Sequence, residues 1–281
     1  MADVLRFLCI GDIIGYPGVL MFQKWVPQLK AKYQIDAVIV NGENAAKNGK
    51  GLIPKHVDFF KHCGADVITT GNHVWEHREL YATLDERDDI IRPANYPPGC
   101  QGKGHAFLTV RGHTVAVTNL MGRGFVRDVL DCPFRTIDSL LTFLSSRTNI
   151  ILVDFHAEAT AEKRVMGTFL DGRVSALWGT HTHVQTADEG ILPKGTGYIT
   201  DVGSCCALNS VIGFQQDQIL NRFLYHAHMG KFVVETEGPM VLSGIWVEID
   251  TETGMTKQIE RVRVIDDNLQ VSAAQEANIG K

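Results

Sequence analysis

The sequence predicts an α/β protein, and three observations carry that expectation. Short apolar, β-branched runs recur from the N-terminus, and each stops at a polar turn that contains glycine. Helix-like stretches opened by proline follow the first two of these runs. The second half of the chain is richer in strand-like runs, including a pair joined by a tight turn.

Taken in order, Val4 to Ile10 reads as a strand closed by Gly11-Asp12, and Pro17 opens a helix toward Tyr33 with a bend expected at Pro27. Ala37 to Val40 is the second strand, ended by Asn41-Gly42-Glu43-Asn44. Pro54 then leads into a helix that stops near Cys63 and Gly64. Val67 to Thr70 is the third strand and meets Gly71-Asn72-His73. Strand, loop and helix in series imply crossover connections and parallel strands, whose ligands lie beyond the strands' carboxyl ends. His105 to Val110 and Thr114 to Asn119 read as a hairpin around Arg111-Gly112-His113. A helix from Pro133 to Arg147 precedes a strand from Ile150 to Phe155. Further strands are expected at Val174 to Trp178, Gly197 to Thr200, Leu242 to Ile249 and Gln258 to Val264. Two packed sheets flanked by helices accommodate this pattern, which leaves the strand pairing open. One domain over residues 1–265 is expected, with a polar, alanine-rich tail over 266–281.

The bulk properties narrow the class of function. Hydrophobic residues make up 44% and charged residues 21% of 281, the balance of a folded globular chain. The formal charge of -5 argues against delocalised attraction to nucleic acid, and no direct nucleic-acid motif is present. The start, MADVLRFLCIGD, lacks the sections of a signal peptide, and no run approaches the roughly 18 apolar residues of a membrane span. A cytoplasmic protein with no membrane partner is the expectation. The six cysteines lack CxxC spacing and are expected to be mostly reduced thiols.

Chemistry-bearing side chains recur where the apolar runs stop: Asp12, Glu43 with Asn44, Asn72 with His73, His156, and His181 with His183. Singly, Asp12 reads as a turn or helix cap, Glu43-Asn44 as a solvated turn, and Gly71-Asn72-His73 as a tight turn. Gly179-Thr180-His181-Thr182-His183 is the strongest local feature. Residues two apart in an extended segment point to the same side, and in a loop the two imidazoles can serve adjacent ions. Together, Asp12, Glu43, Asn44, Asn72, His156, His181 and His183 suffice to hold two divalent ions with positions left for water, and a carboxylate such as Glu43 can bridge them. Imidazoles suit iron, zinc or nickel, and the oxygen ligands suit manganese or magnesium, so the donor set does not choose the metal. Arg123 is a candidate substrate-binding residue, and it also reads as an ordinary exposed loop arginine.

The series GDIIG, NGENAA, TTGNHVW, DFHAE and GTHTHV, followed by YITDVG, resembles the calcineurin-like metallophosphoesterase superfamily, specifically its YmdB-like branch. The superfamily typically begins with Asp-x-His where this chain has Asp12-Ile13-Ile14, and it usually has Asp where this chain has Glu43. Both departures resemble the YmdB-like branch. A third, Ser204-Cys205-Cys206-Ala207-Leu208-Asn209 in place of a Gly- and Pro-containing loop, bears on substrate access or subunit contacts.

The resemblance implies an α/β/β/α sandwich of two mixed sheets between helical layers. It implies that Asp12 and His183 hold one ion, that Asn72, His156 and His181 hold the other, and that Glu43 bridges. Asn44 would add an amide oxygen, and His73 would stay outside the metal shell as proton donor. Two divalent or mixed-valence ions are implied, iron or manganese by preference and zinc on ligand chemistry, with no organic cofactor. Cations about 3.5 to 4 Å apart can share a hydroxide that attacks phosphorus in line. The implied activity is that of a phosphodiesterase on 2′,3′-cyclic nucleoside monophosphates, with a small phosphodiester or cyclic nucleotide as its partner. A phosphomonoesterase or phosphoprotein phosphatase is the enzymatic alternative, and a metal-stabilised regulatory or RNA-associated scaffold the non-catalytic one. The subunit number stays open, and a homo-oligomer is compatible.

Overall fold

A computed structural model describes residues 3–226 and 231–271. The first part of the chain runs β1 (Val4–Ile10), β2 (Asp12–Ile13), α1 (Gly15–Tyr33), β3 (Ala37–Asn41), α2 (Pro54–His62), β4 (Val67–Thr69) and α3 (Leu80–Glu86). The middle contains the hairpin β5 (His105–Val110) and β6 (His113–Met121), then α4 (Pro133–Ser145), β7 (Ile151–His156), α5 (Thr160–Leu170) and β8 (Ala176–Thr180). Short strands β9 (Gly190–Ile191), β10 (Gly197–Ile199) and β11 (Ser204–Ala207) precede α6 (Gln216–Tyr225). The long strands β12 (Met240–Asp250) and β13 (Thr256–Asp266) close the described fold.

Two mixed sheets result. One has the order β2-β11-β12-β1-β3-β4 with β13 beside β12, and the other has the order β5-β6-β7-β8-β10-β9. In the first, β1, β3 and β4 run parallel, while β12 pairs antiparallel with β1 from Val4↔Asp250 to Ile10↔Gly244. In the second, β6, β7, β8 and β10 run parallel.

The alternation of side chains explains why these strands are apolar on both faces. Leu5, Phe7 and Cys9 of β1 join Ala37 and Ile39 of β3 in the core between the sheets, where they meet Val115, Val117, Leu152 and Trp178 of the second sheet. Leu8, Ile10, Val38 and Val40 point the other way, onto Val19 and Phe22 of α1, Phe60 of α2 and Leu84 of α3. Ile151, Val153 and Phe155 of β7 turn outward to Ile137 and Leu141 of α4 and Met166 of α5. The architecture is therefore the expected α/β/β/α sandwich.

Several elements differ from the expectation. Helix α1 begins at Gly15 and contains Pro27. Helices α3, α5 and α6 have no counterpart in the sequence reading. Ser204–Ala207 is a buried strand between β2 and β12 rather than an open loop, and Cys205 and Cys206 are free thiols inside it. Of the expected tail at 266–281, Asp266 ends β13, and Leu269 and Val271 pack against the helix-side core; the remainder lies outside the described residues. Among the described residues no helix is long and apolar enough to cross a membrane.

Candidate metal centre

The parallel strands of both sheets deliver their carboxyl ends to one rim. There β1 gives way to Gly11-Asp12, β3 to Gly42-Glu43-Asn44 and β4 to Gly71-Asn72-His73, while β7 ends on His156 and β8 leads into His181 and His183. Close approach makes glycine necessary at Gly71, where a Cβ would lie 2.2 Å from Glu43 Oε2 and 2.4 Å from His156 Nε2.

His156 is the hub, and it is 1% exposed. Its Nε2 lies 3.0 Å from Asn72 Oδ1, 3.0 Å from His181 Nδ1 and 3.1 Å from Glu43 Oε1. Its other nitrogen, Nδ1, is 2.9 Å from Thr180 Oγ1. The single Thr180 hydroxyl proton goes to Asp154 Oδ1 at 2.7 Å, so Nδ1–H must be the donor and Nε2 is the nitrogen presented to the rim. Asp154 is itself fixed by Thr69 Oγ1 and by Asn41 Nδ2 at 3.1 Å. Burial pushes the Asp154 carboxyl up to about 6.

Asp12 and His183 form the second half of the cluster. Asp12 is fully buried; its Oδ2 accepts the His181 backbone N–H at 3.1 Å, but among the described residues Oδ1 meets no hydrogen-bond donor. That oxygen lies 3.9 Å from His183 Nε2 and 3.8 Å from His156 Nδ1. His183 Nδ1 donates to the Ile212 carbonyl at 3.1 Å, which leaves Nε2 facing Asp12 and, at 3.2 Å, the Asn44 amide. Glu43, 1% exposed, stands between the halves: Oε1 takes Asn44 and His156, and Oε2 takes the His73 backbone N–H at 3.3 Å.

Two histidines in this loop have left-handed backbones, His181 at φ 95° and His183 at φ 65°. Such conformations cost about 1–3 kcal/mol each and persist only where surrounding contacts impose them. The contacts come from Asp201, whose Oδ2 accepts Thr182 N–H at 3.2 Å and Thr182 Oγ1 at 2.7 Å while Oδ1 accepts Gly203 N–H at 2.8 Å. Lys163 Nζ reaches Asp201 Oδ2 at 2.6 Å and the Thr180 carbonyl at 2.8 Å, and both charged residues are 1% exposed. His181 Nε2 is held by Glu158 Oε2 at 3.1 Å. The sequence reading did not single out Asp154, Thr180, Glu158, Lys163 or Asp201. Asp201 lies inside the YITDVG motif quoted above, whereas Lys163 has no local signal.

A cleft of about 340 Å³ opens on the cluster, lined by Glu43, His73, His181 and His183 together with the apolar Ile212, Phe214 and Phe232. His73 is half-buried at its edge, with Nδ1 3.1 Å from Glu76 Oε1. All seven expected ligands meet at this rim beside His73. Arg123 does not line the cleft; it lines a separate cavity.

These residues fit divalent cations. Three polar atoms converge on one imidazole nitrogen, the ligand atoms of Glu43, His156 and His181 lie within 4.8 Å of one another, and a buried Asp12 oxygen has no donor among the described residues. The field has the matching sign. Burial opposes a charged His156, yet Glu43, Asp12 and Asp154 outweigh it and raise the imidazole to about 9. Burial likewise pushes Glu43 up, and the surrounding histidines bring it down to about 2.

A family model described as YmdB-like protein matches residues 8–262, and the chain belongs to that family. A Bacillus subtilis (strain 168) protein named as a 2′,3′-cyclic-nucleotide 2′-phosphodiesterase is 45% identical over 265 residues, covering 94% of this chain and 99% of the relative. A crystal structure of a Mycoplasma pneumoniae phosphatase superposes with a TM-score of 0.89 at 34% identity, covering 99% of this chain and 100% of the other. A solved protein of Thermus thermophilus gives a TM-score of 0.84 at 40% identity over 93% of this chain and 100% of that one.

Proposed function

We propose that this member of the YmdB-like family is a dimetal-dependent phosphodiesterase that hydrolyses 2′,3′-cyclic nucleoside monophosphates. The observation that carries the chemistry is the convergence of Asn72, His181 and Glu43 on His156 Nε2, beside an Asp12 oxygen with no donor. The substrate rests on the named activity of the Bacillus subtilis relative, which aligns over nearly the whole of both chains.

In this reading Asp12 and His183 would hold one ion, Asn72, His156 and His181 would hold the other, Glu43 would serve both, and Asn44 would support the first. Iron or manganese is the preferred occupant. Two such ions supply Lewis acidity toward phosphoryl oxygens and a water of lowered pKa. The protein supplies the rest. Asp154 and Thr180 fix the His156 tautomer, Glu158 holds His181, and the Asp201–Lys163 pair holds the loop in its strained conformation. His73, with Nδ1 on Glu76, presents its other nitrogen as the acid that protonates the departing alkoxide. Ile212, Phe214 and Phe232 give a nucleoside an apolar wall opposite the phosphate.

Turnover of bis-p-nitrophenyl phosphate and 2′,3′-cyclic AMP, set against p-nitrophenyl phosphate, tests the proposal. Diester turnover should dominate; predominant monoester turnover would replace it with a phosphatase.

A further inference from the structure

A second cavity, of about 820 Å³, opens between the chain after β4, the segment joining β6 to α4 and the start of α4. It shares no lining residue with the metal cleft. Three arginines line it, Arg92, Arg123 and Arg135, against one carboxylate, Asp131. On a chain of formal charge -5 this is a local reversal of sign.

Arg92 is the anchor. It is only 8% exposed, and its Nε, Nη1 and Nη2 donate to the carbonyls of Gln101 at 3.0 Å, Pro93 at 2.8 Å and Cys100 at 3.4 Å. Those acceptors pin the guanidinium without neutralising it, and two of its five N–H groups remain. Arg6, Arg87, Arg111, Arg164, Arg173 and Arg261 each reach a carboxylate. The side chains of Arg92, Arg123 and Arg135 reach none among the described residues, as is true of Arg78, Arg127, Arg147, Arg222 and Arg263, and of these Arg92 is the buried one; the backbone N–H of Arg123 donates to the Glu162 carboxylate at 3.0 Å. A buried guanidinium without a counter-charge is unfavourable, and a bound anion relieves it. The start of α4 adds the positive end of its dipole, since Cys132 and Thr136 line the same space. Leu130, Leu140 and Phe143 form an apolar wall.

We propose that this cavity binds a nucleotide-sized phosphate ester, with the phosphate clamped by Arg92, Arg123 and Arg135 and the organic part against Leu130, Leu140 and Phe143. Planar guanidiniums match the several oxygens of a phosphate, which a lone carboxylate ligand would not satisfy. The phosphate can come from a free nucleotide or from a second phosphate of a substrate seated in the metal cleft. Trp75, two residues after His73, packs edge-on against Tyr96 with ring centroids 5.3 Å apart, and Tyr96 lines the arginine cavity. The pocket itself stands on the cavity alone; only the second of these phosphate sources rests on the proposed function.

Cys132 is a built-in reporter, half-buried on the cavity wall, and half-buried Cys63 elsewhere in the fold is an internal control. The metal-loaded protein is alkylated with iodoacetamide, and the rate at each cysteine is followed by peptide mass spectrometry. Probes are inorganic phosphate, 5′-AMP and a 5′-phosphorylated dinucleotide ending in a 2′,3′-cyclic phosphate. Near saturation, a probe should slow Cys132 alkylation about threefold or more and leave Cys63 unchanged. The Arg123→Gln/Arg135→Gln protein should lose that protection, as should Arg135→Glu; both side chains are exposed, so the fold is not asked to change. Protection by inorganic phosphate and 5′-AMP supports the pocket with a free ligand. Protection by the dinucleotide at concentrations where 5′-AMP gives none supports it with the substrate's own second phosphate. An unchanged Cys132 rate with all three probes at millimolar concentration, or equal protection in the charge variants, overturns the proposal.

Discussion

The two cavities are built on opposite electrostatic principles. The metal cleft gathers imidazoles around buried carboxylates, and the field of Glu43, Asp12 and Asp154 raises His156, so it favours cations. The arginine cavity sets three guanidiniums against one carboxylate and favours anions. Their supports differ as well. The cleft's hub rests on a buried partner on a strand, Asp154 beneath His156, whereas Arg123 and Arg135 stand exposed on a loop and a first helical turn. Strong preorganisation accompanies the chemistry; adjustable charge accompanies recognition.

The largest expected effect breaks the cleft alone. In the proposed reading Glu43→Gln removes the one carboxylate that would serve both ion positions, so diester turnover should fall to or beyond the top of the roughly 10²–10⁴-fold range of acid–base catalysis. Metal content should fall with it, and phosphate protection of Cys132 should survive. Elemental analysis and the alkylation assay check both halves. His73→Ala should lower kcat about 10²-fold while metal content stays near that of the parent. Metal loss matching that of a ligand variant would place His73 among the ligands.

A smaller effect should come from the support beneath the loop. Lys163→Met leaves Asp201 buried without its cation, which should destabilise the fold by about 3–5 kcal/mol. It should also weaken metal binding about 10-fold, because Asp201 holds the strained His181–His183 segment. A lowered denaturation midpoint with unchanged metal affinity would limit Lys163 to a structural role.

The smallest effect lies outside both cavities. His56 of α2 is 1% exposed, neither ring nitrogen has a partner among the described residues, and burial with nearby His77 and Lys55 lowers it to about 4. The unfolded chain therefore binds the proton more readily. Stability from this site is complete above an unfolded value near 6.5 and is lost as pH falls toward 4, amounting to about 1 kcal/mol between pH 7 and 5.5. The difference in urea unfolding free energy between the parent and His56→Leu should change by that amount over the interval. A constant difference would remove His56 from the acid sensitivity.

The cleft was legible in the sequence because each ligand follows an apolar run and a turn, a pattern that parallel strands require at their carboxyl ends. The arginine cavity was not, since it is assembled from three distant segments and Arg123 alone resembles any loop arginine. Helix α5 escaped for a physical reason: Val165 and Phe169 face outward while Lys163 is buried, which scrambles the amphipathic pattern. Helix α6 has the same difficulty, with Ile219 buried and Leu220, Phe223 and Tyr225 exposed. The pairing of β12 with β1 joins opposite ends of the chain and has no local signature. Cys205 and Cys206 looked like a loop because the strand that holds them has only four residues.

At the centre stands the claim that the acid and imidazole rim is a cation-dependent phosphodiesterase site. Anaerobically purified protein, stripped by chelation and reloaded in steps with iron or manganese, allows turnover of 2′,3′-cyclic AMP to be read against metal content. Turnover should be negligible when the protein is stripped, with recovery that completes at two ions per chain. Undiminished turnover by the stripped protein would contradict the claim.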